Sequence, residues 1–221
     1  MIFDVDGTLV DSNDAHAHAF VEAFRELGHE VAFGEVRRLI GKGSDKLIPE
    51  LIGRYDAAIS GRKKAIFKAR YLPHLRAFPR VEALLQTLRS RGLRLAVASS
   101  AARDELGALL DVAKARPYLD EETDADAAEH SKPDPDILQA ALRKLQLPAS
   151  ECVMVGDTPY DAEAARRAGM AFIGVRCGGW GDDALHPAIA VYEDPAHLLG
   201  EVVRPRSVLV SGRDYAPRTP S

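Results

Sequence analysis

The stretch Met1-Ile2-Phe3-Asp4-Val5-Asp6-Gly7-Thr8 decides the fold. Its first three residues read as a short apolar strand, followed at once by two carboxylates and a glycine. A turn at Gly7 can bring Asp4 and Asp6 to one pocket. An Asp-rich turn, each carboxylate accepting local backbone N–H bonds, accounts for the pattern equally well. An EF-hand loop fits poorly, because glycine follows the second Asp too soon and the later acidic ligands are missing. Only three residues precede Asp4. A typical strand has ~5–6, so this one is expected to lose ladder bonds and core contacts.

Outward from there the chain alternates. Ser12 or Asn13 is placed to cap a helix whose face is Ala17, Phe20, Phe24 and Leu27, ended by Gly28. From Phe33 to His74 the pattern stays helical but is interrupted by glycines and prolines, with no Val- or Ile-rich alternation. Beyond Pro79, Val81, Leu84, Leu85 and Leu88 make another helix face. Leu93 to Ala98 reads as a buried strand ending at Ser99-Ser100, and a helix follows over Arg103 to Ala113. An acidic loop through Asp120, Glu121, Glu122, Asp124 and Asp126 leads to a helix from Pro135 to Leu147. Strands are expected over Cys152–Val155, Met170–Val175 and Ile189–Tyr192, with helices over Pro159–Ala168 and Ala196–Val203. Strands alternating with helices predict an α/β fold with a parallel sheet covered on both faces. Ligands gather at the carboxyl ends of such strands, and three of these ends carry Asp4, Ser99 and Asp157.

Other residues gain meaning from that placement. In Gly156-Asp157-Thr158-Pro159-Tyr160-Asp161, Asp157 or Thr158 suits a helix cap, Pro159 its first turn and Asp161 its dipole. Asp157 is equally a metal ligand in the making, with Asp161 in support. Lys132, in Lys132-Pro133-Asp134-Pro135, is either a solvated turn lysine or the one cation of an acidic pocket. Ser99 either begins a turn or donates to a phosphate oxygen. Taken together, Asp4, Asp6, Asp157, Asp161 and Lys132 form a strongly negative cluster. Two like charges ~5 Å apart repel by about 3 kcal/mol at an effective dielectric of about 20. The cluster therefore calls for a divalent cation, and oxygen ligands favour Mg²⁺. A phosphomonoester, carrying about −1.5 to −2 charge near neutrality, would be drawn to Mg²⁺ and Lys132.

Composition narrows the classes. The chain has 221 residues, 46% hydrophobic and 28% charged, which excludes disorder, collagen and coiled coil as its overall character. A net charge of −4 gives no global case for nucleic acid or an anionic membrane as partner. Cys152 and Cys177 lack metal-type spacing and lie in apolar runs, so both are expected as buried free thiols. No apolar run approaches the ~20 residues of a membrane helix, and no signal core follows the N-terminus. A soluble, cytoplasmic protein is expected. The segment over residues 204–221, rich in Arg, Pro and Ser, is expected to be disordered.

Asp4-Val5-Asp6-Gly7-Thr8-Leu9, Ser99 after an apolar strand, Lys132-Pro133, and Gly156-Asp157 with Asp161 resemble the four ordered motifs of the haloacid dehalogenase superfamily. The spacing between the first two resembles its phosphoglycolate phosphatase and β-phosphoglucomutase-like branch. That resemblance implies a Rossmann-like parallel core, residues 1–12 and 79–203, interrupted by an all-helical cap, residues 13–78. It also implies roles. Asp4 would be the nucleophile forming an aspartyl-phosphate, and Asp6 the acid and base. Mg²⁺ would sit on Asp4, the backbone carbonyl of Asp6 and Asp157, with Asp161 in or near its outer shell. Ser99 and Lys132 would hold the phosphoryl oxygens. His16 matches a cap histidine of some sugar-phosphate relatives, and Gly41-Lys42-Gly43-Ser44-Asp45-Lys46 resembles a specificity loop; solvated helix residues are the competing reading of Lys42 and Lys46. His18, two positions from His16, cannot share its helix face, which disfavours a histidine metal site. A departing halide needs no proton whereas an alkoxide does, so an acid at Asp6 favours phosphate esters over dehalogenation. The expected activity is hydrolysis of a small phosphorylated metabolite, a sugar phosphate or a phosphoglycolate-like acid. Its rivals are a sugar phosphomutase and a non-catalytic phosphometabolite-binding module.

Overall fold

The computed structural model describes residues 1–204, so the disorder expected over residues 204–221 falls, Arg204 apart, outside the described residues. Among these, six parallel strands form one sheet: Ile2–Phe3 (β1), Ala96–Ala98 (β2), Glu121–Thr123 (β3), Val153–Gly156 (β4), Ala171–Val175 (β5) and Ala190–Tyr192 (β6). Their spatial order is β3-β2-β1-β4-β5-β6. The sheet therefore reverses its winding between β1 and β4, where a crevice opens at the strand ends.

The short β1 lies in the middle of this sheet. Ile2 pairs with Ala96 and Met154, Phe3 with Val97 and Val155. The ladder continues past both ends of the strand: Ala96 N–H donates to the Met1 carbonyl at 3.0 Å, and Asp4 N–H to the Val155 carbonyl at 2.8 Å. Complete burial of Ile2 and Phe3 offsets the shortness. Successive side chains turn to opposite faces, so the two residues seed two cores.

Four α-helices follow β1 before the chain passes back beside Leu9 at Phe78: Asn13–Glu26 (α1), Phe33–Leu39 (α2), Ser44–Ile52 (α3) and Ala57–Ile66 (α4), the last continuing into a π-helical turn at Phe67–Tyr71. Val81–Ser90 (α5) then precedes β2, and Arg103–Ala113 (α6), Asp136–Leu145 (α7), Pro159–Arg167 (α8) and Pro195–Val202 (α9) follow. Phe3, Val97, Val155 and Ile173 share one core with residues of α1, α5, α6 and α9. Ile2, Ala96, Met154 and Phe172 share the other with α7 and α8. The chain leaves the sheet and returns side by side: Phe78 N–H donates to the Leu9 carbonyl and Asp11 N–H to the Arg76 carbonyl, each at 3.0 Å. The helical cap is thus inserted through two adjacent strands of chain, as expected.

Several local expectations change. The acidic segment contains an edge strand, β3, because Glu121 and Glu122 lie half-buried along the sheet margin, where charge guards an open edge. The strand expected over 93–98 narrows to β2, since Leu95 N–H is taken by the Asp120 carboxylate at 2.8 Å. Ser12 stands at the cap position of α1, but its side chain makes no cap bond. Cys152 is buried, whereas Cys177 is half-buried with its Sγ 3.2 Å from the Gly7 carbonyl oxygen. No helix among the described residues is long and apolar enough to cross a membrane.

Candidate active site

Three neighbouring strands deliver the expected residues to one edge of the sheet: β1 runs into Asp4 and Asp6, β2 into Ser99, and β4 into Asp157. Lys132 comes from the loop before α7 and is 1% exposed. Its Nζ donates to Asp4 Oδ1 at 2.5 Å and to the Ala98 carbonyl at 2.9 Å, and lies 2.8 Å from Asp161 Oδ1. Burial works against the charge of this ammonium, but Asp161 and Asp4 hold it above the usual lysine range.

Asp161 has two tasks. Its Oδ2 accepts from Thr158 N–H at 3.1 Å and Thr158 Oγ–H at 2.7 Å, while Thr158 Oγ1 accepts from Asp161 N–H, a reciprocal cap on α8. Thr158, not Asp157, is therefore the cap residue. Asp161 Oδ1 faces Lys132 without an aligned hydrogen bond.

Asp157 is fully buried and tightly held. Thr8 Oγ–H donates to its Oδ1 at 3.0 Å and Asn13 Nδ2–H to its Oδ2 at 2.8 Å. Glycine backbones close around the same carboxylate. A Cβ at Gly7 would stand 2.2 Å from Asp157 Oδ2, and one at Gly178 only 1.7 Å from it. Gly7 also has φ +76°, which glycine adopts without strain.

One carboxylate oxygen from each of Asp4, Asp157 and Asp161 lies within 4.8 Å of the others. Burial pushes the Asp4 carboxyl well above the usual carboxylate range; Lys132 opposes this, while Asp161 and Asp157 add to it. Burial and then Asp161 push Asp157 up to about 7, against the pull of Asn13, Thr8 and Lys132. Three buried carboxylates face one buried ammonium, and both Asp161 Oδ1 and Asn13 Oδ1 are buried without a hydrogen-bond partner. This hard, all-oxygen donor set fits a small divalent cation such as Mg²⁺.

Asp6 turns its carboxylate away from that cluster. Its Oδ1 accepts from Ser12 Oγ–H at 2.5 Å and lies 2.7 Å from His16 Nε2. Burial disfavours its charge, but His16, Ser12 and Lys63 outweigh this and bring the carboxyl down to about 2. The His16 ring stacks on Phe67 with centroids 3.9 Å apart. Ser99 is buried, with its Oγ accepting from Ala101 N–H at 3.1 Å.

A cavity of about 60 Å³ opens beside Asp4 and Asp6. Lys42 lines it, but its ammonium pairs with Glu50 and lies 4.8 Å from the Tyr160 ring centroid. Lys46 is not at this wall; it pairs with Asp134, joining α3 to the loop before α7. Neither lysine is free in solvent, and each is engaged by a carboxylate. His18 stacks against Phe33 and Tyr71 instead.

Two residues that the sequence reading passed over do line the cavity. Lys63 of α4 is buried, its Nζ 3.2 and 3.4 Å from the two carboxylate oxygens of Glu105 on α6. A signal existed for Lys63: it shares the buried face of α4 with Ile59 and Ile66. Glu105 had none, since an acid in the first turn of a helix is ordinary.

Residues 1–175 match the family described as Haloacid dehalogenase-like hydrolase. The chain is 35% identical over 199 residues to a protein of Dickeya dadantii named probable phosphatase IndB, covering 85% of each. It is 32% identical over 217 residues to the phosphoglycolate phosphatase of Rhodospirillum rubrum, covering 90% of this chain and 88% of that one. Among solved structures it is similar to CbbY from Rhodobacter sphaeroides, solved in complex with phosphate and, as a variant, with xylulose-(1,5)-bisphosphate. That similarity has a TM-score of 0.76 at 26% identity, over 89% of this chain and 94% of CbbY. Fold, strand-end carboxylates and sequence agree: the chain belongs to the haloacid dehalogenase-like hydrolase family.

Proposed function

We propose that this hydrolase is a Mg²⁺-dependent phosphatase that cleaves a small phosphomonoester through an aspartyl-phosphate on Asp4. The observation that carries the reading is the buried grouping of Asp4, Asp157 and Asp161 around Lys132 at the carboxyl ends of β1 and β4. Relatives named as phosphatases, one of them a phosphoglycolate phosphatase, support the same chemistry. Residues 13–78 serve as the cap and residues 1–12 with 79–203 as the core.

Asp4 attacks phosphorus in line, forming the Asp4–phosphorus bond as the ester oxygen departs. Lys132, fixed between Asp4, Asp161 and the Ala98 carbonyl, keeps the nucleophile oriented and offsets charge on the phosphoryl oxygens. Ser99 donates to a phosphoryl oxygen, its hydroxyl hydrogen being free while its oxygen accepts from Ala101. The departing alkoxide takes a proton by way of Asp6, and Asp6 then takes one from the water that hydrolyses the acyl phosphate. Mg²⁺ would be held by Asp4, the Asp6 backbone carbonyl and Asp157, with Asp161 at the rim, and would supply the charge that lets a phosphate dianion approach these acids.

Asp4→Asn removes the nucleophile while keeping the side chain's size. Turnover of every phosphomonoester should be lost in a folded protein that still binds phosphate. Activity comparable to the unmodified chain would rule Asp4 out.

A further inference from the structure

We propose that the substrate is the phosphomonoester of a neutral, hydroxylated alcohol, such as a polyol or a sugar, rather than of a carboxylic acid or a bisphosphate. This inference rests on the phosphatase reading and specifies its leaving group. The decisive pair is Lys63, buried, and Glu105, half-buried, at the wall of the cavity beside Asp4 and Asp6. Both Glu105 oxygens face the Lys63 ammonium, at 3.2 and 3.4 Å. An anionic leaving group would have to take Lys63 from Glu105, leaving a largely desolvated carboxylate without its counterion.

The other basic groups at this wall are engaged as well. Lys42 is held by Glu50 and Tyr160. His16 faces Asp6 with Nε2, and its Nδ1 lies 4.0 Å from Glu105. Among the described residues, every cationic side chain lining the cavity thus meets a carboxylate. Further out the wall becomes more acidic. A second cavity of about 240 Å³ shares Gly43, Ser44 and Ser100 with the first, and its lining carries Asp45, Asp126 and Glu129 against the single basic residue Lys64. At the junction the Ser100 hydroxyl is buried with no hydrogen-bond partner. A hydroxyl both donates and accepts, so Ser100 and Glu105 together suit the alcohol groups of a polyol or sugar. A second anion would meet paired cations and surplus carboxylates.

The test is a comparison of kcat/KM on the full chain with Mg²⁺ for glycerol 3-phosphate, glucose 6-phosphate, 2-phosphoglycolate and fructose 1,6-bisphosphate. The neutral esters should exceed phosphoglycolate and the bisphosphate by roughly tenfold or more, about 1.4 kcal/mol per decade. Phosphoglycolate or the bisphosphate turned over as well as the neutral esters would overturn the inference while leaving the phosphatase reading intact. Glu105→Gln frees Lys63 and should lower KM for phosphoglycolate. Should that variant not fold, Lys63→Met should widen the preference for neutral esters, and an unchanged preference counts against the proposal. If folded protein turns over none of the four, the phosphatase reading fails, and calorimetric affinities for the same esters still decide which leaving group the cavity favours.

Discussion

His16 Nε2 lies 2.7 Å from Asp6 Oδ1, so the first turns of α1 are tied to the loop that follows β1. The pair joins the inserted helices to the acidic edge of the sheet and sits at the mouth of the cavity. With its carboxyl brought down to about 2, Asp6 is ionised at neutral pH. In the proposed reaction it accepts a proton from water directly, whereas donation to a leaving alkoxide requires loading first.

Asp6→Asn should therefore affect substrates unequally. On alkyl phosphates kcat should fall by about 10²–10⁴-fold, the usual worth of a positioned acid or base. On p-nitrophenyl phosphate, whose leaving group departs without a proton, the loss in the first step should be much smaller. Burst kinetics on both esters separate the two; equal losses in the first step would mean that Asp6 acts only through structure.

Lys132→Met removes a buried cation from Asp4, the Ala98 carbonyl and the neighbouring Asp161. Breaking a buried ion pair by deleting one partner costs about 3–5 kcal/mol, and urea unfolding without metal should register a loss of that order. A change under about 1 kcal/mol would contradict a charged ion pair buried around Lys132.

Metal binding should depend on pH in a defined direction. Burial and Asp161 push the Asp157 carboxyl up to about 7, above the 3.8 of an ordinary aspartate. Between those values the folded chain holds a proton that the unfolded chain does not, so stability from this group falls as pH rises through 7. A divalent cation must displace that proton. The rise in Tm on adding Mg²⁺ should accordingly be larger at pH 8 than at pH 6, with proton release seen by calorimetry in buffers of different ionisation enthalpy. A Mg²⁺ effect independent of pH would place the cation elsewhere.

The strand ends were readable because each apolar run stops at a polar residue: Phe3 before Asp4, Ala98 before Ser99, Gly156 before Asp157. The strand β3 was hidden for the opposite reason, since an edge strand rich in glutamate looks like a loop. Lys42 and Lys46 were the conspicuous cations of the inserted segment, yet which carboxylate a lysine meets is decided by packing. Glu50 and Asp134 claim them. Lys63 and Glu105 meet only because α4 is brought against α6, a pairing across 42 positions that no local pattern encodes. Asn13, read as a possible cap, instead donates to Asp157 at a separation of 144 positions.

The central claim is covalent catalysis through Asp4, and the stereochemical course at phosphorus tests it most directly. A phosphorothioate ester made chiral with oxygen isotopes would be hydrolysed in isotopically labelled water and the product's configuration determined. Two successive in-line displacements, at Asp4 and then at water, each invert the centre, so overall retention is predicted. Overall inversion would mean that water attacks the ester directly, and would contradict the account.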